Sequence, residues 1–262
     1  MLARWRQAGL VVPTLMTLAM LPVLIGLGAW QLHRLHWKED LIAKIEARRS
    51  AEPVSYADAL ALAKTPGEAE YLRVRVTGVF DHAQERHVYA PRVIGPGWHV
   101  YTLFWPENGA PLLFVNRGWV PEALKNPAKR AEGQIKGAVT ITGLVRAAEP
   151  KGAFTPDNEL AGNRYYSRDL DAMRWGPEGP PSPAQLAALA PERYAPFAID
   201  AEVEPANPGG WPKGGVTEIH IFNSHLQYVV TWFGLALTLI GVFIVFARQR
   251  LKALDEPAGP ST

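Results

Sequence analysis

The chain has 262 residues, 48% of them hydrophobic and 20% charged, with a formal net charge of +2 and no cysteine. So small a charge, with no basic stripe to track phosphates, excludes a nucleic-acid binder. The missing thiols exclude disulfides, zinc–thiolate and iron–sulfur sites, so any metal must rely on His, Met or carboxylate.

The averages resemble those of a soluble protein, but apolar residues gather at the two ends while proline and charge lie between them. From Ala8 to Leu32 the only polar side chains are Thr14, Thr17 and Gln31. At about 1.5 Å per residue this run exceeds the roughly 20 residues that cross a hydrocarbon layer of about 30 Å, and it is longer than the apolar core of a signal peptide. His33 to Arg49 continues with Leu35, Leu41, Ile42 and Ile45 at helical spacing, which predicts that the helix runs on out of the membrane. From Leu72, L-R-V-R-V-T-G-V-F alternates apolar and polar residues, the period of a half-buried strand. Further strands are predicted over Arg86 to Pro91, Trp98 to Trp105, Pro111 to Val120, Ala138 to Arg146 and Pro196 to Glu202. With no helices between most of them, antiparallel pairing in a barrel or curled sheet is expected. G-P-E-G-P-P-S-P from Gly176 reads as a surface excursion, followed by a short helix over Ala184 to Ala190.

A second apolar run extends from Leu226 to Ala247 and stops at Arg248, Arg250 and Lys252. Basic residues stay on the cytoplasmic side, so this cluster places the C-terminus in the cytoplasm, and two spans then bring the N-terminus to the same side. Arg34, Lys38, Lys44, Arg48 and Arg49 after the first span argue the other way, but long domains translocate largely regardless of charge. The expected architecture is a membrane protein with two terminal transmembrane helices flanking an extracytoplasmic α+β domain dominated by an antiparallel β-sheet or barrel. Its segments are a cytoplasmic tail (1–8), a first span (9–32), a periplasmic, mainly β domain (33–224), a second span (225–247) and a cytoplasmic tail (248–262).

On a helix, His225, Tyr228 and Trp232 fall at about 0°, 300° and 340°, a single face. An ionisable residue at the head of a span is a functional candidate, although at the interface it can simply be solvated, and Trp and Tyr also serve as interfacial anchors. His82, His87 and His99 lie in the strand region and read as surface or satisfied core residues. In V-N-R-G-W-V-P, Arg117 and Trp119 end a strand before a turn and read as structural anchors, with Gly118 permitting unusual backbone angles. Asn163, Asp169 and Met173 read as a packed turn and helix start. No spacing among Asp157, Glu159, Asp169 and Asp171 pairs an acid with a base, so an enzyme is not expected.

The junctions G-A-W-Q-L-H-R-L-H-W-K from Gly28 and F-N-S-H-L-Q-Y-V-V-T-W-F from Phe222 resemble signatures of the Surfeit locus protein 1 family. So do Y-L-R-V-R-V-T-G-V-F from Tyr71, A-P-R from Ala90, V-N-R-G-W-V-P from Val115 and P-D-N-E-L-A-G-N-R-Y-Y-S-R-D-L-D-A-M from Pro156, in the family's order. This resemblance covers roughly residues 26–247 and implies a factor that assists cytochrome c oxidase assembly in a bacterial cytoplasmic (inner) membrane. It implies haem a as cargo, with His225 as the iron ligand and Trp232 nearby; Tyr228 shares that face. Imidazole suits an axial position, and an apolar macrocycle suits a slot between two spans. Arg34 and Lys38 are candidates for the propionates, or else are flanking charges that snorkel. His33 and His36 could supply a second ligand, although the family pattern at this end rests on Trp30-Gln31, Arg34 and Trp37-Lys38. The implied partners are the oxidase catalytic subunit, the haem a synthesis machinery and the lipid bilayer. The rival readings are a scaffold for nascent oxidase subunits that binds no haem, and a membrane-tethered periplasmic sensor or regulator. Since the chain begins almost directly with a span, no mitochondrial transit peptide is expected.

Overall fold

A computed structural model of the chain describes residues 2–149, 151–180, 182, 193–215, 217 and 223–255. Its helices are α1 (Leu2–Gln7), α2 (Val11–Ser50), α3 (Tyr56–Leu62), α4 (Leu170–Trp175) and α5 (His225–Asp255). The strands are β1 (Val54–Ser55), β2 (Arg73–Tyr89), β3 (Gly97–Pro106), β4 (Leu113–Pro121), β5 (Ala138–Ala147), β6 (Arg164–Tyr165) and β7 (Phe197–Ala201). Two compact units result, a helical one from Met1–Lys44 with His220–Thr262 and a central one from Ile45–Ile219.

In the helical unit, Gly9 at φ 67° separates α1 from α2, a left-handed turn that favours glycine. α2 and α5 run antiparallel, as Leu10 clusters with Ala247 at one end and Gln31 bonds His225 at the other. Both helices are long and apolar enough to cross a membrane, with mean hydropathy of 2.0 and 2.5. Only 6% and 11% of those apolar windows are buried, which a core helix of a soluble protein would not tolerate. The predicted continuation of the first helix past the apolar run is present, since α2 is unbroken to Ser50.

In the central unit the strands pair in the order β1-β2-β3-β4-β7-β5, and β5 pairs back onto β2. The ring β2-β3-β4-β7-β5 is therefore a closed barrel, which leaves these strands no free edge. Alternation sets its two faces. Val74, Val76, Phe80, Phe104, Leu113, Val115, Ile141, Phe197 and Ile199 form one cluster. Their neighbours Tyr101, Leu103, Phe114 and Ala198 join Val88 and Tyr165 in a second, with Leu170 and Met173 of α4 packed on it. Burying each Val, Leu, Ile, Phe or Met among them stabilises the fold by about 1.5–3 kcal/mol.

The strands predicted at Leu72 and Arg86 are one 17-residue strand, β2, whose register shifts between Asp81 and Glu85. The irregularity re-aims the chain, so that beyond it Glu85, Arg86, His87 and Val88 are all buried. The sheet is also not wholly antiparallel. β7 pairs antiparallel with β5 but parallel with β4, through Val115↔Ile199 and Asn116↔Asp200. The reason is the long excursion between β5 and β7, which lets β7 enter between two strands that already run in opposite directions; β1 and β6 add parallel pairs on β2.

Arg117 is fully buried in β4. It donates to the Gly133 carbonyl and to Asn207 Oδ1 at 2.9 Å, with its guanidinium 4.8 Å from the Phe80 ring centre. Gly118 takes φ 129°, and a Cβ there would lie 2.0 Å from the Lys213 carbonyl oxygen, so no other residue fits. The excursion from Gly176 begins with a 3-10 turn, Gly176–Glu178, whose first residue is buried; the helix predicted over Ala184 to Ala190 lies outside the described residues.

Candidate functional site

Along α2 the better buried positions recur as Leu24, Gly28, Gln31, Leu35 and Lys38, and along α5 as His225, Val229, Trp232 and Ala236. Each series steps by three and four, so each marks one face of its helix, and the two faces meet in a seam at Gln31–His225 and Gly28–Phe233. Gly28 makes room for the tip of the Phe233 ring, because a Cβ added there would lie 2.9 Å from Phe233 Cζ.

Gln31 is buried, with 9% of its surface exposed, in a run that otherwise offers its amide no partner. A polar side chain in that setting must find one. It does so across the seam, where Oε1 accepts from Nδ1 of His225 at 2.7 Å. An amide oxygen only accepts, so Nδ1 is the donor in this contact and Nε2 is the ring nitrogen left outside it. The backbone before α5 adds to this placement, as Asn223 Oδ1 accepts the His225 amide at 3.4 Å. A histidine oriented through one ring nitrogen with the other left as a donor pair is the usual form of a metal-ligating imidazole.

Trp232 is half-buried on the same seam as His225. Tyr228 is not, being 49% exposed, because the seam centres on Val229 and Ala236, at about 40° and 20° from His225, and Tyr228 at about 300° falls outside it. Arg34 is half-buried with its guanidinium 4.4 Å from the Trp37 ring centre, and Lys38 is half-buried one turn further on. His33 and His36 are exposed, off the seam that carries Gln31. Sequence reasoning listed Gln31 as a polar interruption and missed its role; a lone amide within an apolar run was the available signal.

In the barrel, the described residues hold no group of three His, Asp or Glu placed to bind a metal. His82 bonds the Ile135 carbonyl at 2.8 Å, and burial, its main influence, lowers its pKa. His87 bonds Glu85 at 2.8 Å, and Glu85 also pairs with Arg130. These two partners outweigh burial and hold the Glu85 carboxyl below its usual range. Asp169 caps α4 by accepting from the Ala172 amide at 3.0 Å, Met173 is fully buried, and Asn163 sits in a left-handed turn donating to the Glu85 carbonyl. These are the structural roles expected of them.

The chain combines a closed barrel with two helices of membrane-spanning length that flank it in sequence, and one hydrogen-bonded histidine heads the face on which those helices meet. Residues 18–237 match the SURF1 family. The chain is 37% identical over 241 residues to a SURF1-like protein of Monosiga brevicollis, covering 87% of this chain and 84% of that one. It is 36% identical over 241 residues to Surfeit locus protein 1 of Mus musculus and 36% over 237 residues to that of Homo sapiens. Those matches cover 86% and 84% of this chain and 72% of each relative. The chain belongs to the SURF1 family, as the junction and strand motifs implied.

Proposed function

We propose that this chain is a cytochrome c oxidase assembly factor that holds haem a as cargo and assists its insertion into the oxidase catalytic subunit. In this reading α2 and α5 span a bacterial cytoplasmic membrane, both termini are cytoplasmic and the barrel is periplasmic. Family membership supports the assembly role, and the 2.7 Å bond from His225 Nδ1 to Gln31 Oε1 carries the haem assignment. That bond leaves Nε2 as the one ring atom able to bind iron, and second-sphere acceptors of this kind fix the ring and raise its basicity. Trp232, on the same seam, would flank the macrocycle. Arg34 and Lys38 would meet the propionates, where charge-assisted bonds are strongest. Tyr228 has the weaker case, since it points off the seam.

The barrel contributes no ligand in this proposal. The cavity beside Phe80 and Arg117 measures about 30 Å³, far too small for a porphyrin, and the cleft of about 530 Å³ beside Arg73 and Glu202 is lined by no His or Met that could bind iron. The test is to purify the full chain from cells that make haem a, record its optical spectrum and extract the pigment. Stoichiometric haem a is the expected result. A colourless protein that still supports oxidase assembly would leave the scaffold reading in its place.

A further inference from the structure

β2 and β3 are joined by a hairpin whose tip reads P-R-V-I-G-P, residues 91–96. Arg92 and Gly95 exchange both backbone hydrogen bonds, at 3.0 and 2.9 Å, so Val93 and Ile94 are the two central residues of a tight turn. Such positions favour Asn, Asp or Gly, because the turns that match the strand twist need a left-handed backbone there. Val93 and Ile94 are β-branched and neither has a positive φ, so turn preference does not account for them. Packing does not account for them either, since Val93 is 108% exposed and Ile94 79%. Phe154 and Val203, the next most exposed large apolar side chains of the central unit among the described residues, stand singly, which is ordinary for a protein surface.

We propose that this turn is a membrane-contact element, with Val93 and Ile94 set into the interfacial layer of a lipid bilayer; the inference rests on the reading that α2 and α5 span a membrane. Size, stiffness and position favour lipid over a partner protein. Two side chains fall far short of the roughly 20–30 residues that each side of a stable protein interface contributes. A domain already tethered to a bilayer needs no such area, because its second contact is intramolecular and forms at high effective concentration. Pro91 and Pro96 fix the backbone on both sides of the tip, so little ordering is left to do on insertion.

Position is set within the barrel. Arg92 and Thr217 line one cleft, and only residues 218–224 lie between Thr217 and the start of α5. Even fully extended, that stretch reaches no more than about 30 Å, so the face that carries the turn cannot stand far from the bilayer that α5 enters. Behind the tip, Tyr89 is 39% exposed, with its ring centre 5.4 Å from that of Trp98 and 6.1 Å from that of Tyr166. At about 3.3 Å per residue Tyr89 lies on the order of 10 Å behind Val93, the depth over which interfacial elements insert, and tyrosine belongs at the headgroup level. Arg92 is already engaged, its guanidinium 5.6 Å from the Trp119 ring centre, and the apolar pair alone carries the contact.

The absence of cysteine lets Ile94→Cys, Val12→Cys and Glu107→Cys each carry one environment-sensitive fluorophore. The labelled full-length chains are placed in nanodiscs of phosphatidylcholine and phosphatidylglycerol, with or without bromine on the acyl chains near the headgroups. Val12, 63% exposed on α2, reports on the span, and Glu107, exposed beyond the far end of β3, reports on the opposite end of that strand. Bromine should quench the labels at 12 and 94 at least threefold more than the label at 107, and Val93→Asp should cut the quenching at 94 at least threefold. Quenching at 12 with none at 94 beyond that at 107, or quenching at 94 that Val93→Asp leaves unchanged, would overturn the inference while the spanning reading stands. No quenching at 12 would overturn the spanning reading, and the inference with it. A label at 94 that brominated lipid leaves bright but that added oxidase subunits shift would assign the turn to a protein partner and overturn the lipid contact.

Discussion

Gln31→Leu isolates what the interhelical hydrogen bond contributes. The substitution keeps side-chain size and helix propensity but removes the oxygen that accepts from His225 Nδ1 at 2.7 Å. Hydrogen bonds between membrane helices average only about 0.6 kcal/mol, and about 1.7 at most, so the helix pair should remain assembled. The ligand it orients is affected more. Loss of an outer-sphere partner typically costs 10–100-fold in affinity, about 1.4–2.7 kcal/mol. Haem a titrated into apoprotein in nanodiscs should therefore show a Kd raised by that factor for Gln31→Leu. Gln31→Glu, which keeps an acceptor at the same atom, should stay within about threefold of wild type, since outer-sphere carboxylates serve equally well. Unchanged affinity in Gln31→Leu, or a loss in Gln31→Glu as large as in Gln31→Leu, would refute the hydrogen-bond argument.

Gly28→Val should overpack against the Phe233 ring, since even a Cβ lies 2.9 Å from its Cζ; overpacking of this kind costs about 1–3 kcal/mol. The melting temperature in detergent should fall and recover in the Gly28→Val, Phe233→Ala double variant, and an unshifted melt for Gly28→Val would show the contact is not close. Burial pushes His99 from 6.5 to about 4, with the Asp200 charge opposing and Arg92, Arg168 and Arg146 assisting. The unfolded imidazole thus binds a proton near pH 6.5 and the folded one only near 4, so stability is full above 6.5 and declines as pH falls through that window. At about 1.36 kcal/mol per pH unit the decline is on the order of 3 kcal/mol. Urea midpoints of the full chain should fall over that range and fall much less in His99→Gln; equal slopes would contradict the assignment. Alkaline phosphatase fused after Ala147 should be active if the barrel is periplasmic, and an inactive fusion there with an active C-terminal one would reverse the orientation.

What was legible in the sequence is what local periodicity encodes. The apolar runs gave both long helices, and the alternation from Leu72 gave the first half of β2. Pairing partners are a different kind of information. Nothing in F-A-I-D-A at β7 states that it enters beside β4 in parallel, because an excursion of that length fixes neither side nor direction. β4 escaped the alternation rule, as Asn116 and Arg117 are as buried as Val115 and Val120 around them. Their burial is made tolerable by partners far away in the chain, Asp200 and Asn207. At the candidate site, helical geometry placed His225 and Trp232 on one face but also included Tyr228, since the centre of that face is set by the partner helix. Gln31 and His225 are 194 residues apart, and only the antiparallel helix pair reveals that they meet.

The central claim, that His225 is the residue through which haem a is held, is tested most directly by His225→Ala in the full chain, purified from cells that make haem a. The residue is half-buried at the end of the seam, so its removal should cost the fold little while deleting an iron bond that neither exposed His33 nor exposed His36 replaces. The account predicts wild-type yield and melting behaviour with haem a content reduced to a trace, and near-wild-type content in His33→Ala and His36→Ala. Full haem a content in His225→Ala, with oxidase assembly intact, would contradict it.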